Sequence, residues 1–187
     1  MDEHSPAAMA AFARIPERNT GDNLLRTAQQ HHVALSSMAD TKANIIITVS
    51  SIVLTIAIGR VNDPDLRMSM LVLAGFTLAA LLLAILAVLP KYRPLKVSGE
   101  RLPDGFNLLF FGHFSELTRE RYLAEMARAL TPDGSPYCVW SNDIYSLGSY
   151  LRRYKYRYLR YSYLLFLTGF VSSCLLQGWH LLTHGGL

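Results

Sequence analysis

The sequence predicts an all-α integral membrane protein with three transmembrane helices, a helical cytoplasmic layer and a cytoplasmic N-terminus. The first observation behind this prediction is that residues 43–59, 68–89 and 161–182 form apolar runs without Asp, Glu, Lys or Arg. About 20 apolar residues in a helix span the hydrocarbon core of a bilayer. The second and third runs reach this length, and the first, which contains several hydroxyl groups, is near the lower limit.

The second observation is the unequal distribution of Lys and Arg around the apolar runs. Four basic residues precede the first run, twelve lie between the second and the third, and none follows the third. The only basic residues in the link between the first two runs are the arginines at its ends, Arg60 and Arg67. Basic residues concentrate on the cytoplasmic side of a membrane. We therefore expect the N-terminus and the long second link in the cytoplasm, and the C-terminus outside.

Helix caps and helix breakers predict how the elements follow one another. Asp22 is a plausible N-cap, and no breaker separates it from the first apolar run, which predicts one long helix. Pro90 ends the second helix, Ser115 or Thr118 can cap a helix to about residue 130, and no proline follows Tyr137, which predicts another long helix. The predicted organisation is a disordered arm over 1–21, a cytoplasmic helix over 22–42, transmembrane helices over 43–60, 68–90 and 161–182, and a cytoplasmic helical region over 91–158.

Composition and motifs exclude several classes of function. The net charge is +4 and the isoelectric point is near 9.2. The basic residues lie at predicted cytoplasmic membrane ends, where orientation and anionic headgroups explain them without a nucleic acid. His31, His32 and His113 lack the i, i+4 spacing of a helical metal-ligand pair, and no phosphate-binding glycine loop or nucleophile elbow occurs. We therefore predict no enzymatic activity, no metal, no cofactor and no nucleic-acid partner.

A polar stripe in the first transmembrane helix suggests a pore or an interface between subunits. Its members are spaced 4, 4, 3 and 4 residues apart, which places them on one helix face: Asp40, Asn44, Thr48, Ser51 and Thr55. Polar groups in a spanning helix are unfavourable unless they face protein or water. The stripe therefore either lines a pore or a seam of a homo-oligomer, or forms hydrogen bonds to other helices or to its own carbonyls.

A second group of residues could bind a phosphate. Arg119 and Arg121 stand near a predicted helix start, where exposed backbone amides also favour an anion. Lys96 and Arg101 are alternative ligands in the same link. The competing interpretation, which the composition favours, is solvated surface charge near an anionic membrane.

Four segments in order resemble the transmembrane effector of the Pycsar antiphage systems. They are NLLRTAQQHHVALSSMADTKANIIITVSSIVL, LPKYRP, NLLFFGHFSELTRERYLAEM and YSLGSYLRRYKYRYLRYSYLLF. The ADTKA motif stands at Ala39–Ala43 and the FFGHF motif at Phe110–Phe114. The resemblance extends from about Asn23 to Phe170, and the order of the motifs is more specific than any one of them.

The resemblance implies a bacterial inner-membrane effector that senses cUMP or cCMP from a partner uridylate or cytidylate cyclase. On phage infection, such an effector impairs the membrane, so that the infected cell stops growing before phage matures. Some relatives carry an HD phosphohydrolase domain, but this chain contains no His-Asp dipeptide, so that activity does not transfer. The rival hypothesis is a constitutive membrane scaffold that binds a lipid or a protein partner and no nucleotide.

Overall fold

The computed structural model of the 187-residue chain describes residues 19–90, 95, 97, 99, 101–130 and 136–184. Every regular element in these residues is helical and none is a strand, which confirms the predicted all-α fold. The elements in chain order are α1 (Asn19–Arg60), α2 (Arg67–Val88), α3 (Phe111–Phe114), α4 (Arg119–Leu130), α5 (Pro136–Tyr150), a π-helix (Leu151–Tyr156) and α6 (Arg157–His184).

Three helical stretches of the described chain are long and apolar enough to cross a membrane. They lie in α1, in α2 and in the continuous stretch formed by α5, the π-helix and α6. These are the three stretches that the apolar runs predict. The prediction of three membrane-spanning helices is thus confirmed.

Helix α1 is one uninterrupted helix, as the lack of breakers predicts. It begins at Asn19, three residues before the expected cap at Asp22, so that Asp22 lies in the first turn and accepts a hydrogen bond from another helix. A carboxylate in the first turn still favours the helix through the macrodipole. The helix ends at Arg60, before the turn around Asp63. Residues 1–18 of the predicted disordered arm lie outside the described residues.

Helix α2 ends where Pro90 predicts. Its last residue is Val88, and Leu89 is already extended, with φ −60° and ψ 125°. A residue before proline is pushed out of the helical region by the proline ring.

The chain divides into two compact units. We call the first the polar unit, which comprises the chain up to Ala34 and Pro90–Ser149, and the second the membrane unit, which comprises Leu35–Leu89 and Tyr150–Leu187. Helix α1 contributes residues to both units, because it continues through Ala34 and Leu35 without a break.

In the membrane unit, α2 and α6 pack along their length through serine hydrogen bonds. Ser162 Oγ donates to the Ala80 carbonyl over 2.7 Å, and Ser173 Oγ donates to the Ser69 carbonyl over 2.9 Å. Ser69 Oγ lies 2.8 Å from Gln177 Oε1. Hydroxyls in lipid are stabilised when they pair across helices, so these bonds set the register of the two helices.

Small residues allow α2 and α6 to approach closely at one place in the described chain. Ser173 is buried against α2, and a Cβ added at Gly169 would overlap the Cβ of Phe76, so α2 and α6 need a glycine there. A Cβ at Gly75 would meet no described atom within 4 Å. The lack of a side chain at Gly169 therefore allows α2 and α6 to lie close together, as small residues do in membrane helices.

The buried core of the membrane unit joins all three spanning helices. Ala39 and Ala43 of α1 pack with Ala87 of α2 and Leu159 of α6, and all four are nearly inaccessible. Alanine side chains at this position allow the helix backbones to lie close together.

The third long helix differs from the prediction at one place. Residues Leu151–Tyr156 form a π-helix, whereas the lack of a breaker within this segment predicts unbroken α-helix. In a π-helix the backbone bonds run from residue i to i+5, and such turns occur frequently at functional sites. The sequence LRRYKY contains no breaker that indicates it.

Candidate functional site

The polar unit is organised around the buried side chain of Asn107. Its Nδ2 donates to Asp143 Oδ1 over 2.9 Å, and its Oδ1 accepts from the Leu109 backbone amide over 2.9 Å. Asn107 is 2% exposed. A buried amide that lacked these partners would destabilise the fold, so Asn107 ties the loop before α3 to α5.

The FFGHF motif supplies the second anchor of this loop. His113 Nδ1 lies 3.0 Å from the backbone nitrogen of Asn107, which donates to it, so this nitrogen must be unprotonated. The His113 ring also contacts the rings of Phe106 and Phe110. Burial lowers the pKa of His113, because desolvation disfavours the charged imidazolium. The motif thus folds as a short helix that keeps a neutral histidine in place.

Asp143 and Gln29 extend the network to helix α1. Gln29 Nε2 donates to Asp143 Oδ2 over 3.0 Å, and Trp140 Nε1 donates to Gln29 Oε1 over 3.1 Å. Both oxygens of the Asp143 carboxylate therefore accept a hydrogen bond from a neutral amide. Nearer the start of α1, Tyr137 Oη donates to Asp22 over 2.9 Å.

His32 occupies a close contact between the α1 and α5 parts of the polar unit. Its Nδ1 donates to the Ala28 carbonyl over 2.8 Å. A Cβ added at Gly148 would lie 3.0 Å from His32 Nε2. In the described part of the chain, no three His, Cys, Asp or Glu side chains come together as a metal site.

In the membrane unit, Lys155 of the π-helix binds α1. Its Nζ donates to Asp40 Oδ1 over 2.6 Å, to Asp40 Oδ2 over 2.7 Å and to Ser36 Oγ over 2.9 Å. The Lys155 side chain is 12% exposed and that of Asp40 is 42% exposed. The next residue, Tyr156, donates from its hydroxyl to the Leu35 carbonyl over 3.2 Å. Two consecutive residues of the π-helix therefore hold the end of the predicted cytoplasmic part of α1.

The predicted polar stripe divides into two parts in the structure. Asp40 is engaged by Lys155, whereas the other four members are exposed on the surface of the single chain: Asn44, Thr48, Ser51 and Thr55. Ser51 and Thr55 donate to carbonyls of their own helix, Ile47 and Ser51, over 2.8 Å and 2.9 Å. The exposed part faces away from the buried face that holds Ala43 and Ala57. The hydroxyls of Ser51 and Thr55 are thus satisfied within their own helix, and a role of the four exposed residues at a pore or subunit interface stays a prediction.

The predicted phosphate ligands do not form one described cluster. Arg121 Nη1 donates to the Gly99 carbonyl over 2.8 Å, and its backbone amide bonds to Thr118 Oγ1 over 3.3 Å, so Thr118 caps α4 as predicted. Arg101 and Arg119 are exposed. Lys96 lies outside the described residues. Their role as ligands stays a prediction.

Sequence reasoning missed a cavity in the membrane unit lined by two cations, Lys42 and Arg160. A signal for it exists in the sequence, because each residue directly precedes an apolar run that starts on the same predicted side of the membrane. Sequence spacing alone does not show that the two helices are neighbours.

The three long apolar helices define the class of protein: it is a multi-pass α-helical membrane protein. A family model described as the Pycsar effector protein domain, PycTM, matches residues 23–182 of the chain. The chain therefore belongs to the PycTM family, and the resemblance is confirmed. No curated protein and no solved structure matches the chain significantly. The family description names an effector and does not name a catalytic activity.

Proposed function

We propose that this protein is the membrane effector of a Pycsar antiphage system, and that cUMP or cCMP activates it. A partner uridylate or cytidylate cyclase would make the nucleotide on phage infection. The activated effector would impair the bacterial inner membrane, so that the infected cell stops growing before phage matures. The observation that carries the proposal is the family match over residues 23–182, which includes both units and all three membrane-spanning helices.

The proposed orientation places the polar unit where a cyclase product would accumulate. Twelve Lys and Arg lie in the link between the second and third apolar runs, and none follows the third. The positive-inside rule then supports a cytoplasmic N-terminus and polar unit, with the C-terminus outside. A nucleotide made in the cytoplasm would reach this unit without crossing the membrane.

In the proposed mechanism, helix α1 transmits the signal. A nucleotide with different affinities for two arrangements of the cytoplasmic residues shifts the population toward one of them. The candidate ligands remain Lys96, Arg101, Arg119 and Arg121. Because α1 runs from Asn19 to Arg60 without a break, a rotation at its cytoplasmic part reaches the spanning part. The π-helix supports such a switch, since its hydrogen-bond pattern differs by one residue from that of the flanking α-helices.

The proposed output is assembly through the exposed polar stripe. Asn44 and Thr48 are exposed on the single chain in a segment predicted to lie in lipid. Such groups are unfavourable in hydrocarbon and become favourable against a second copy or water. A homo-oligomer whose subunits place these residues at a seam would satisfy them and would open a polar path through the membrane. No step of this mechanism requires catalysis by the protein.

Membrane potential in cells tests the proposal. The protein is expressed together with an inducible uridylate cyclase or cytidylate cyclase, and a catalytically inactive cyclase serves as the control. We expect depolarisation with one of the two active cyclases and none with the inactive form. An intact potential with both nucleotides, at verified expression and insertion, would instead favour a constitutive scaffold.

A further inference from the structure

An open cavity at the surface of the membrane unit has two cations among its lining residues. It measures about 390 Å³, and its wall is formed by Lys42, Tyr156, Leu159, Arg160 and Tyr163. This size falls in the range of small-molecule sites, about 300–1,000 Å³. The wall therefore combines two cations with two aromatic rings and a buried leucine.

The aromatic walls of the cavity are held in place by hydrogen bonds to α1. Tyr163 Oη donates to the Lys42 carbonyl over 3.2 Å, and Tyr156 Oη donates to the Leu35 carbonyl over 3.2 Å. Leu159 is 5% exposed and belongs to the core of the unit. Since both phenol protons are committed to carbonyls, the cations are the groups left to recognise a ligand.

The two cations of the cavity have no counter-charge in the described part of the chain. The ion pairs there are Arg128 with Glu125 and Lys155 with Asp40, and neither involves Lys42 or Arg160. Lys155 lies next to a cavity residue in sequence, yet Asp40 already neutralises it. The cavity wall thus presents two positive charges.

The sequence predicts that the cavity lies at the depth of the lipid phosphates. Lys42 directly precedes the first apolar run and Arg160 directly precedes the third. Tyrosine and basic residues at such positions lie at the headgroup level of a bilayer. Because Arg160 and Lys42 line the same cavity, a phosphate at this depth would meet a guanidinium fork and an ammonium group.

We propose that this cavity binds a phosphodiester monoanion between Lys42 and Arg160, with the rings of Tyr156 and Tyr163 against the carbon atoms next to the phosphate. Anionic phospholipids and cyclic nucleotides both carry this group. The site does not depend on the proposed function, because phospholipid binding would persist in a protein without a nucleotide ligand.

Binding of two kinds of probe to the delipidated full-length protein tests the site. The first probe is phosphatidylglycerol, and native mass spectrometry compares its binding with that of phosphatidylcholine. The choline ammonium of phosphatidylcholine offsets the charge of its phosphate. The second probe is cUMP or cCMP, and an equilibrium binding measurement gives its affinity for the protein. We expect the double variant Lys42→Gln with Arg160→Gln to lower the affinity for the bound probe about tenfold or more. Arg160→Lys should lower the affinity less, because lysine keeps the positive charge and loses only the planar guanidinium fork.

The matched control is Arg153→Gln with Arg157→Gln, which removes the same charge from exposed positions outside the cavity. We expect this pair to change binding less than about twofold. If the cavity variant loses only phosphatidylglycerol binding and the control does not, the site is assigned to a lipid. If the cavity variant loses only nucleotide binding, the site is assigned to a nucleotide. Equal binding by the wild type and the cavity variant, or an equal loss in the control, would overturn the proposal. Helical circular dichroism verifies that all variants are folded.

Discussion

Lys155 holds Asp40 through both carboxylate oxygens, with Nζ 2.6 Å from Oδ1 and 2.7 Å from Oδ2. The two residues are far apart in the sequence, and their contact joins the π-helix to α1 in the membrane unit. A charged hydrogen bond of this length is stronger than a neutral one. The pair therefore joins the π-helix, in the interior of the third long helical stretch, to the first helix.

Loss of the Asp40 charge should destabilise the membrane unit. Asp40→Asn leaves Lys155, which is 12% exposed, without its counter-charge. We expect the free energy of unfolding to fall by about 1–2 kcal/mol, since Asp40 is partly exposed and the ion pair is screened. Thermal unfolding in detergent measures this, and the exposed Asp65→Asn is the matched control. A double-mutant cycle with Lys155→Met that gives no coupling energy would show that the pair contributes nothing.

Acidification should loosen the loop that His113 anchors. Burial lowers the pKa of His113, so the folded protein favours the neutral ring that accepts the Asn107 amide. The stabilisation is complete above the ordinary histidine pKa of about 6.5 and is lost as the pH falls through the lower pKa of the folded state.

Hydrogen exchange of residues 106–114, corrected for intrinsic rates, measures this loosening between pH 8 and pH 5. In His113→Gln the pH dependence should be weaker, and in the control His31→Gln, whose side chain is exposed, it should be unchanged. Identical pH dependence in the wild type and His113→Gln would refute the role of this histidine.

Gly169→Ala should separate α2 from α6. The added methyl group would overlap the Cβ of Phe76, which the backbone holds in place. We expect a loss of about 1–3 kcal/mol in stability, as in other overpacked cores. Gly75→Ala in α2 is the matched control, because nothing described lies within 4 Å of its added Cβ. That control should be neutral or slightly stabilising, because alanine favours helix over glycine. Equal melting temperatures for the two variants would contradict the packing described above.

The exposed stripe should be needed for activity and dispensable for folding. Asn44→Leu with Thr48→Val removes two polar groups that are exposed on the single chain. We expect normal insertion and the loss of nucleotide-triggered depolarisation, since the proposed seam loses its polar groups. Ile45→Leu with Val49→Ile is the control on exposed apolar positions of the same helix, and it should retain activity. Full depolarisation by the stripe variant would exclude the stripe from the pore or interface.

The three spanning helices could be predicted because their signals are local. Each uncharged run of sufficient length lies, to within a residue, inside one of the three long helical stretches, and α2 ends at Val88, just before the predicted proline breaker. The π-helix could not be predicted, because Leu151–Tyr156 contains neither glycine nor proline.

The candidate site was harder to predict because its contacts are distant in sequence. Helical spacing placed Asp40 on one face with Asn44, but spacing does not reveal which helix covers that face. Lys155 covers Asp40 and leaves Asn44 exposed. The FFGHF motif was distinctive as a pattern, whereas its role in holding Asn107 becomes visible only in the folded loop.

Ion efflux from liposomes that contain only the purified full-length protein tests the central claim most directly. Random insertion exposes the polar unit of about half of the molecules to added nucleotide, so no cyclase is needed. We predict efflux on addition of cUMP or cCMP, none with the corresponding non-cyclic monophosphate, and none from liposomes without protein. Unchanged ion retention with both cyclic nucleotides, at verified insertion, would contradict the claim that a cyclic pyrimidine nucleotide activates this protein to impair the membrane.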